Sequence, residues 1–171
     1  MSNLNKLKNA LGIGARANRY QVLINSTGKH FAFGEEADLL CKSTTIPGRS
    51  FADIEVWHKG RLTTIAGDAQ YDGTWSCTFL DTEDHTLRKR FIDWMEYIDS
   101  VNKHSRTTPD NDSYMSSAVL HQLSTINNNV TSTYKFYDIY PKSISDSSLS
   151  DDSSELIEFT IEFNYSSWEL L

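Results

Sequence analysis

Catalysis or metal binding in this chain would have to start from five histidines (His30, His58, His85, His104 and His121), two cysteines (Cys41 and Cys77) and scattered carboxylates. None has the spacing such chemistry needs. Structural zinc takes ligands at short repeated steps, and no H-x-x-x-H, C-x-x-C or H-x-E occurs. Asp81, Asp84 and His85 could be drawn as an acid–base cluster, but a helix start rich in carboxylates accounts for them. Asp110, Asp112 and Ser113 open like a calcium loop, yet the glycine and glutamate that such a loop needs further on are absent. Gly12-Ile13-Gly14 lacks the preceding strand of a phosphate-cradling loop, and there is no G-x-S-x-G nucleophile elbow. The acidic tract from Asp146 to Glu155 reads as solvated turns. These residues predict no enzyme, no metal and no cofactor.

The sequence must therefore act through its shape. Its 171 residues, 39% apolar, suffice for one core. Lys+Arg 16 against Asp+Glu 23 gives a net charge of −7, which repels phosphate backbones and argues against a sequence-reading nucleic-acid binder. No run approaches the roughly 18 apolar residues of a membrane helix, and the first twenty residues lack the apolar centre of a signal peptide, so the chain reads as soluble and unexported. Cys41 and Cys77 lie in apolar runs, where free thiols act as small hydrophobes.

Periodicity supplies the elements. Leu4, Leu7 and Leu11 make a narrow stripe over Ser2 to Ala10, ended by Gly12 and Gly14; a helix this short is marginal alone and would order on a partner or fray. Tyr20, Val22 and Ile24 alternate as a strand, and His30 to Phe33 reads as a short second one. The segment from Ala37 onward is extended until Pro47 and Gly48 end regular pairing. Phe51 to Lys59 and Arg61 to Gly67 pair as a hairpin turning at Gly60. Trp75, Cys77 and Phe79 alternate with polar residues in a central strand. Leu87, Phe91, Trp94, Met95, Ile98 and Val101 then recur at helical steps, with Arg88, Lys89, Arg90, Asp93 and Glu96 on the solvent side. Asn102 to Ser113 reads as a loop, and Tyr114 to Leu123 fits a strand better than a helix. Thr131 to Tyr140 and Glu155 to Tyr165 are the strongest strands; in the latter Ile157, Phe159, Ile161 and Phe163 share a dry face, while Glu158, Thr160, Glu162 and Asn164 share a wet one.

The succession of LLCKSTTIP (Leu39 to Pro47), IAGDAQYDGTWSCTFLD (Ile65 to Asp81), KRFIDW (Lys89 to Trp94), Tyr140-Pro141 and EFTIEFNYSSWEL (Glu158 to Leu170) resembles the tail tube proteins of contractile-tailed bacteriophages, which are related to the secreted tube proteins of contractile injection systems. The resemblance runs from about Asn18 onward. It implies a mainly β fold with one flanking α-helix: a β-sandwich or barrel-like subunit whose strands join a ring-wide inner β-barrel. Residues 1–17 would then be an N-terminal arm that orders on assembly, and 18–171 a single tail-tube β domain.

That resemblance further implies a structural subunit that stacks as hexameric rings and forms the conduit for genome ejection. Its partners would be itself, the tail sheath protein, baseplate tube proteins, the tape-measure protein and the tube-end protein, with double-stranded DNA only in transit. The setting would be the virion, after synthesis in the host cytoplasm. A baseplate tube initiator or tube-end protein of the same fold is the alternative. A different class is a carbohydrate-binding β-sandwich using Trp57, Trp75, Tyr114 or Trp168 as a sugar platform. For ring-to-ring contact the candidates are Lys42, Pro47, Arg49, Trp57, His58, Lys59 and Arg61, together with Leu4 and Leu7 of the arm. If the strand from Glu155 lies in the inner barrel, Glu158, Thr160, Glu162 and Asn164 face its lumen; otherwise they solvate an outer face.

Overall fold

The computed structural model describes residues 3–25, 33–71, 73–104, 114–151 and 154–171. Within them, α1 (Asn3–Leu11), α2 (Glu36–Leu40) and α3 (Thr86–His104) accompany nine strands. These are β1 (Tyr20–Ile24), β2 (Cys41–Thr44), β3 (Arg49–His58), β4 (Arg61–Tyr71), β5 (Thr74–Leu80), β6 (Ser116–Leu123), β7 (Val130–Ile144), β8 (Glu158–Asn164) and β9 (Ser167–Leu170). Seven strands form one sheet path, in the order β1-β6-β7-β8-β5-β2, with β9 also on β7; β3 and β4 pair only with each other. All pairings are antiparallel.

The path folds into two layers because β7 serves both. Its first part pairs with β6 and β9, and Tyr140 to Ile144 pair with β8. The switch lies at Asp138, in the left-handed region at φ 54, where β7 carries an irregularity against Ser116 to Ala118. A bulge bends the strand and slips its side-chain parity by one, so the buried residues Phe136 and Ile139 are three apart. Aspartate tolerates this conformation and a β-branched residue does not. Asp138→Val should therefore lower unfolding free energy by about 1–3 kcal/mol, whereas Asp138→Gly should fall within about 1 kcal/mol of the parent in urea titration.

The strict alternation of β5 and β8 puts Trp75, Cys77, Phe79, Phe159, Ile161 and Phe163 on one side, all buried. Trp75 stacks on Phe136 of the facing layer at 4.4 Å between centroids. Where the two layers part, α3 closes the gap: Leu87, Phe91 and Trp94, at helical steps, are fully buried and Ile98 packs partly buried beside them. The Phe91 ring centroid stands 4.6 Å from that of Phe33, 5.4 Å from Phe79 and 5.8 Å from Phe163.

Several expectations change. Leu39 and Leu40 close the short helix α2 instead of opening a strand, leaving only Cys41 to Thr44 extended. Ile157 precedes β8, which begins at Glu158, and is half-buried rather than part of the sealed core. The loop expected from Asn102 starts later, since α3 runs to His104; residues 105–113 lie outside the described set, as does most of His30 to Phe33. Arg88 is not on the solvent face: it donates to Ser147 Oγ at 2.9 Å and lies over the Phe159 ring. The hairpin's second strand continues past Gly67 to Tyr71, and β9 is an element the alternation did not reveal.

Candidate functional site

Among the described residues, three surfaces outside the core carry the predicted site residues, and each traces to a local sequence pattern. The first is the outward face of the β2-β5-β8 layer with the end of β7. Because Phe159, Ile161 and Phe163 point inward, Glu158, Thr160, Glu162 and Asn164 must point out. Thr78 and Thr160 hydroxyls meet at 2.9 Å, Ser143 donates to Glu162 at 3.1 Å, and Asn164 donates to the Tyr140 hydroxyl at 2.9 Å. Lys42 bonds Glu158, which neutralises one carboxylate. This face is therefore hydroxyl-rich and less acidic than the strand alone indicates. Among the described residues no strand covers the outer edge of β2 or of Tyr140 to Ile144.

The second surface is the β3-β4 ribbon. Lys59 and Gly60 both have positive φ, 48° and 78°, the two-residue turn whose twist suits a hairpin. Nearly every side chain is exposed, including Phe51, Ile54, Val56, Trp57, Leu62 and Ile65. Ile54 pairs with Ile65 and Val56 with Thr63, so one face carries an apolar stripe, while Asp53 and Glu55 lie on the other. Gly67 is required beside that stripe, because a Cβ there would come 2.9 Å from the Ala52 carbonyl and 3.0 Å from the Ile54 side chain. His58, Lys59 and Arg61 cluster at the tip. At the root, Arg49 is held within the subunit, its guanidinium 5.3 Å from the Tyr71 ring and 4.7 Å from the Trp168 ring. Trp168 in turn donates to the Gly48 carbonyl, and Pro47 is half-buried nearby in sequence.

The third is α1, on which no residue is buried; Leu4, Leu7 and Leu11 are all more than half exposed. Its end is set by Gly12 and Gly14, both with positive φ, with Gly12 N–H donating to the Lys8 carbonyl.

The groups that suggested chemistry have structural partners. His85 Nδ1 donates to Asp81 Oδ2 at 2.7 Å. Asp84 accepts from the hydroxyls of Thr82 and Thr86, which hold its pKa down at about 2; its support of the α3 start is present above the ordinary carboxylate range and is lost as pH falls through about 2. Burial pushes the Tyr20 phenol up to about 12, so it stays protonated and donates to the Cys41 carbonyl. Burial likewise raises Cys77, whose thiol bond to Cys41 lowers the latter. Among the described residues no three His, Cys, Asp or Glu are placed to hold a metal ion, and no helix is long and apolar enough to cross a membrane. Of the sugar-platform candidates, Trp75 is wholly buried, Trp168 is covered by Arg49 and Tyr114 packs edge-on against Tyr140, so they form no shared platform; Trp57 alone of the four is largely exposed, on the separate β3-β4 ribbon.

The fold recurs in known assemblies. A chain of the PVC extracellular contractile injection system's sheath–tube complex in the extended state aligns with a TM-score of 0.66 at 13% identity, covering 100% of this chain and 98% of that one. A chain of the anti-feeding prophage baseplate gives 0.62 at 15% identity, covering 92% and 95%. A chain of the anti-feeding prophage tube-terminating cap gives 0.64 at 12% identity, covering 92% and 90%. No curated protein matches the chain. The profile of the family described as phage tail tube protein matches residues 15–171, nearly everything but the arm. The chain belongs to the phage tail tube protein family and is a structural subunit of a tail tube.

Proposed function

We propose that six copies join edge to edge into a ring, that rings stack into the tube of a contractile tail, and that the outward face of the β2-β5-β8 layer lines the channel through which DNA passes. The observation that carries this is a sheet dry on one face, hydroxyl-lined on the other and open at both edges. Closing such sheets into one barrel leaves no unpaired strand edge. In this reading the β3-β4 ribbon reaches the adjacent ring through its apolar stripe, and residues 1–17 form an arm that orders on assembly. The subunit performs no catalysis and takes no cofactor. A sheath, baseplate tube proteins, a tape-measure protein and a tube-end protein are its partners in the virion, following synthesis in the host cytoplasm.

Electron microscopy of the purified protein tests the assembly: rings or tubes with a central channel are expected, and a monomer at every concentration and salt condition would overturn it. The similarity to baseplate and cap chains also favours a second reading, a tube initiator or terminator. Spontaneous growth of long tubes is the behaviour of the tube subunit, while rings that never elongate belong to the other.

A channel wall of hydroxyls with sparse carboxylates would repel DNA over about 8 Å at physiological salt, and a basic wall would hold it by counterion release. Glu162→Lys leaves the buried face of β8 untouched. Particles carrying it should still assemble and should release DNA more slowly at low salt, with the difference shrinking as salt rises. Ejection at the parent rate in assembled particles would exclude the channel-lining role.

A further inference from the structure

The two ends of the charge distribution complement one another. The chain's first acidic residue is Glu35; before it stand Lys6, Lys8, Arg16, Arg19 and Lys29. Residues 145–158 carry Asp146, Asp151, Asp152, Glu155 and Glu158 and no lysine or arginine. Asp146, Glu155 and Glu158 of that stretch line a surface cavity of about 650 Å³. Leu149 and Leu156 line it, 81% and 71% exposed. Lys42 is the one cation among its described lining residues, and it lies on Glu158.

The arm has the matching chemistry. At 100° per residue Leu4, Leu7 and Leu11 share a stripe with Lys8 on its flank, a leucine ridge beside a cation. The arm's own root is seated elsewhere: Ile13, Gly14 and Ala15 border a separate cavity with Leu123, Ser124, Thr125, Ile126 and Thr131. The hairpin is a poorer match, since Arg49, Lys59 and Arg61 are balanced by Asp53, Glu55 and Asp68. We infer that α1 of one copy docks its leucine stripe into the leucine-lined cavity of a second copy, with Lys8 facing Asp146. The inference rests on the tube reading and specifies what the arm binds there.

Cross-linking tests it. Chains carrying Leu7→Cys are mixed with chains carrying Leu149→Cys, assembled and oxidised with diamide, and non-reducing electrophoresis should show a disulfide-linked pair of chains. A link formed only inside a chain carrying both cysteines overturns the inference, as does a link from Trp57→Cys of the hairpin to Leu149→Cys in place of the arm link. Because a cysteine on the stripe could weaken docking, a charge pair provides a second arm. Lys8→Glu should raise the concentration needed for assembly about two- to fivefold, and Asp146→Lys in the same chain should restore it. Parent tubes that form while neither experiment responds remove this inference alone; parent protein that forms no ring or tube removes the assembly reading as well.

Discussion

Trp75→Ala should lower the unfolding free energy by about 3–5 kcal/mol, enough to leave a domain of this size marginal or unfolded. The indole is fully buried between the two layers, stacked on Phe136 and 5.4 Å from Phe163. Its Nε1–H also donates to the Thr45 carbonyl at 3.0 Å, tying the segment between β2 and β3 to the core. Alanine removes ring contacts and leaves that carbonyl without its partner. Trp75→Phe separates the two effects: it keeps most of the stacking and should cost about 1–3 kcal/mol, the penalty of the unmade hydrogen bond with some lost volume. Chemical denaturation of the two variants side by side measures the difference. A loss below about 1 kcal/mol for the alanine variant would mean that the two layers are not joined through this ring.

Replacing Ile54 and Ile65 together by threonine should abolish tube elongation while leaving the subunit folded. The two side chains pair directly on the ribbon and are 52% and 54% exposed, so the isolated subunit gains little from them. Threonine keeps β-branching and hence strand preference. Covering a half-exposed isoleucine stabilises a contact by about 1 kcal/mol, so two per subunit in a six-membered ring amount to on the order of 10 kcal/mol at each ring-to-ring step. Rings without tubes are expected in micrographs, with thermal unfolding close to the parent. Tubes of unchanged length would place the ring contact elsewhere.

Legibility in the sequence followed burial. Wherever one face of an element is sealed and the other wet, as in β5, β8 and α3, composition alternates with the period of the element, and Trp75, Phe79, Phe91, Trp94, Phe159 and Phe163 announced themselves. Three features lacked that signature. Glu36 to Leu40 is a single helical turn before a strand, too short for a period, and its leucines divide between an exposed Leu39 and a partly buried Leu40. β7 changes layers through one left-handed aspartate, which breaks parity in the middle of an otherwise regular strand. β9 is only four residues long and is defined by its pairing with Tyr134 to Tyr137, a long-range fact. The candidate surfaces were legible in outline: the wet face of β8 and the hairpin follow from alternation and Gly60. The bond from Lys42 to Glu158 and the stacking of Arg49 on Trp168 join residues far apart in the chain and needed the fold to be seen.

The Arg49–Trp168 contact also bears on timing. The two residues are 119 positions apart, and the ribbon that Arg49 anchors is synthesised long before β9. Chains grow at about 5–20 residues per second, so for several seconds each nascent ribbon exists without the ring that fixes its root. During that interval its apolar stripe can be exposed, but its direction is unset. A contact that needs a defined angle between ribbon and sheet becomes available only once the last strand has emerged and paired with β7. A chain that ends before Ser167 is therefore expected to leave the ribbon root unanchored and to stay out of parent tubes in co-assembly.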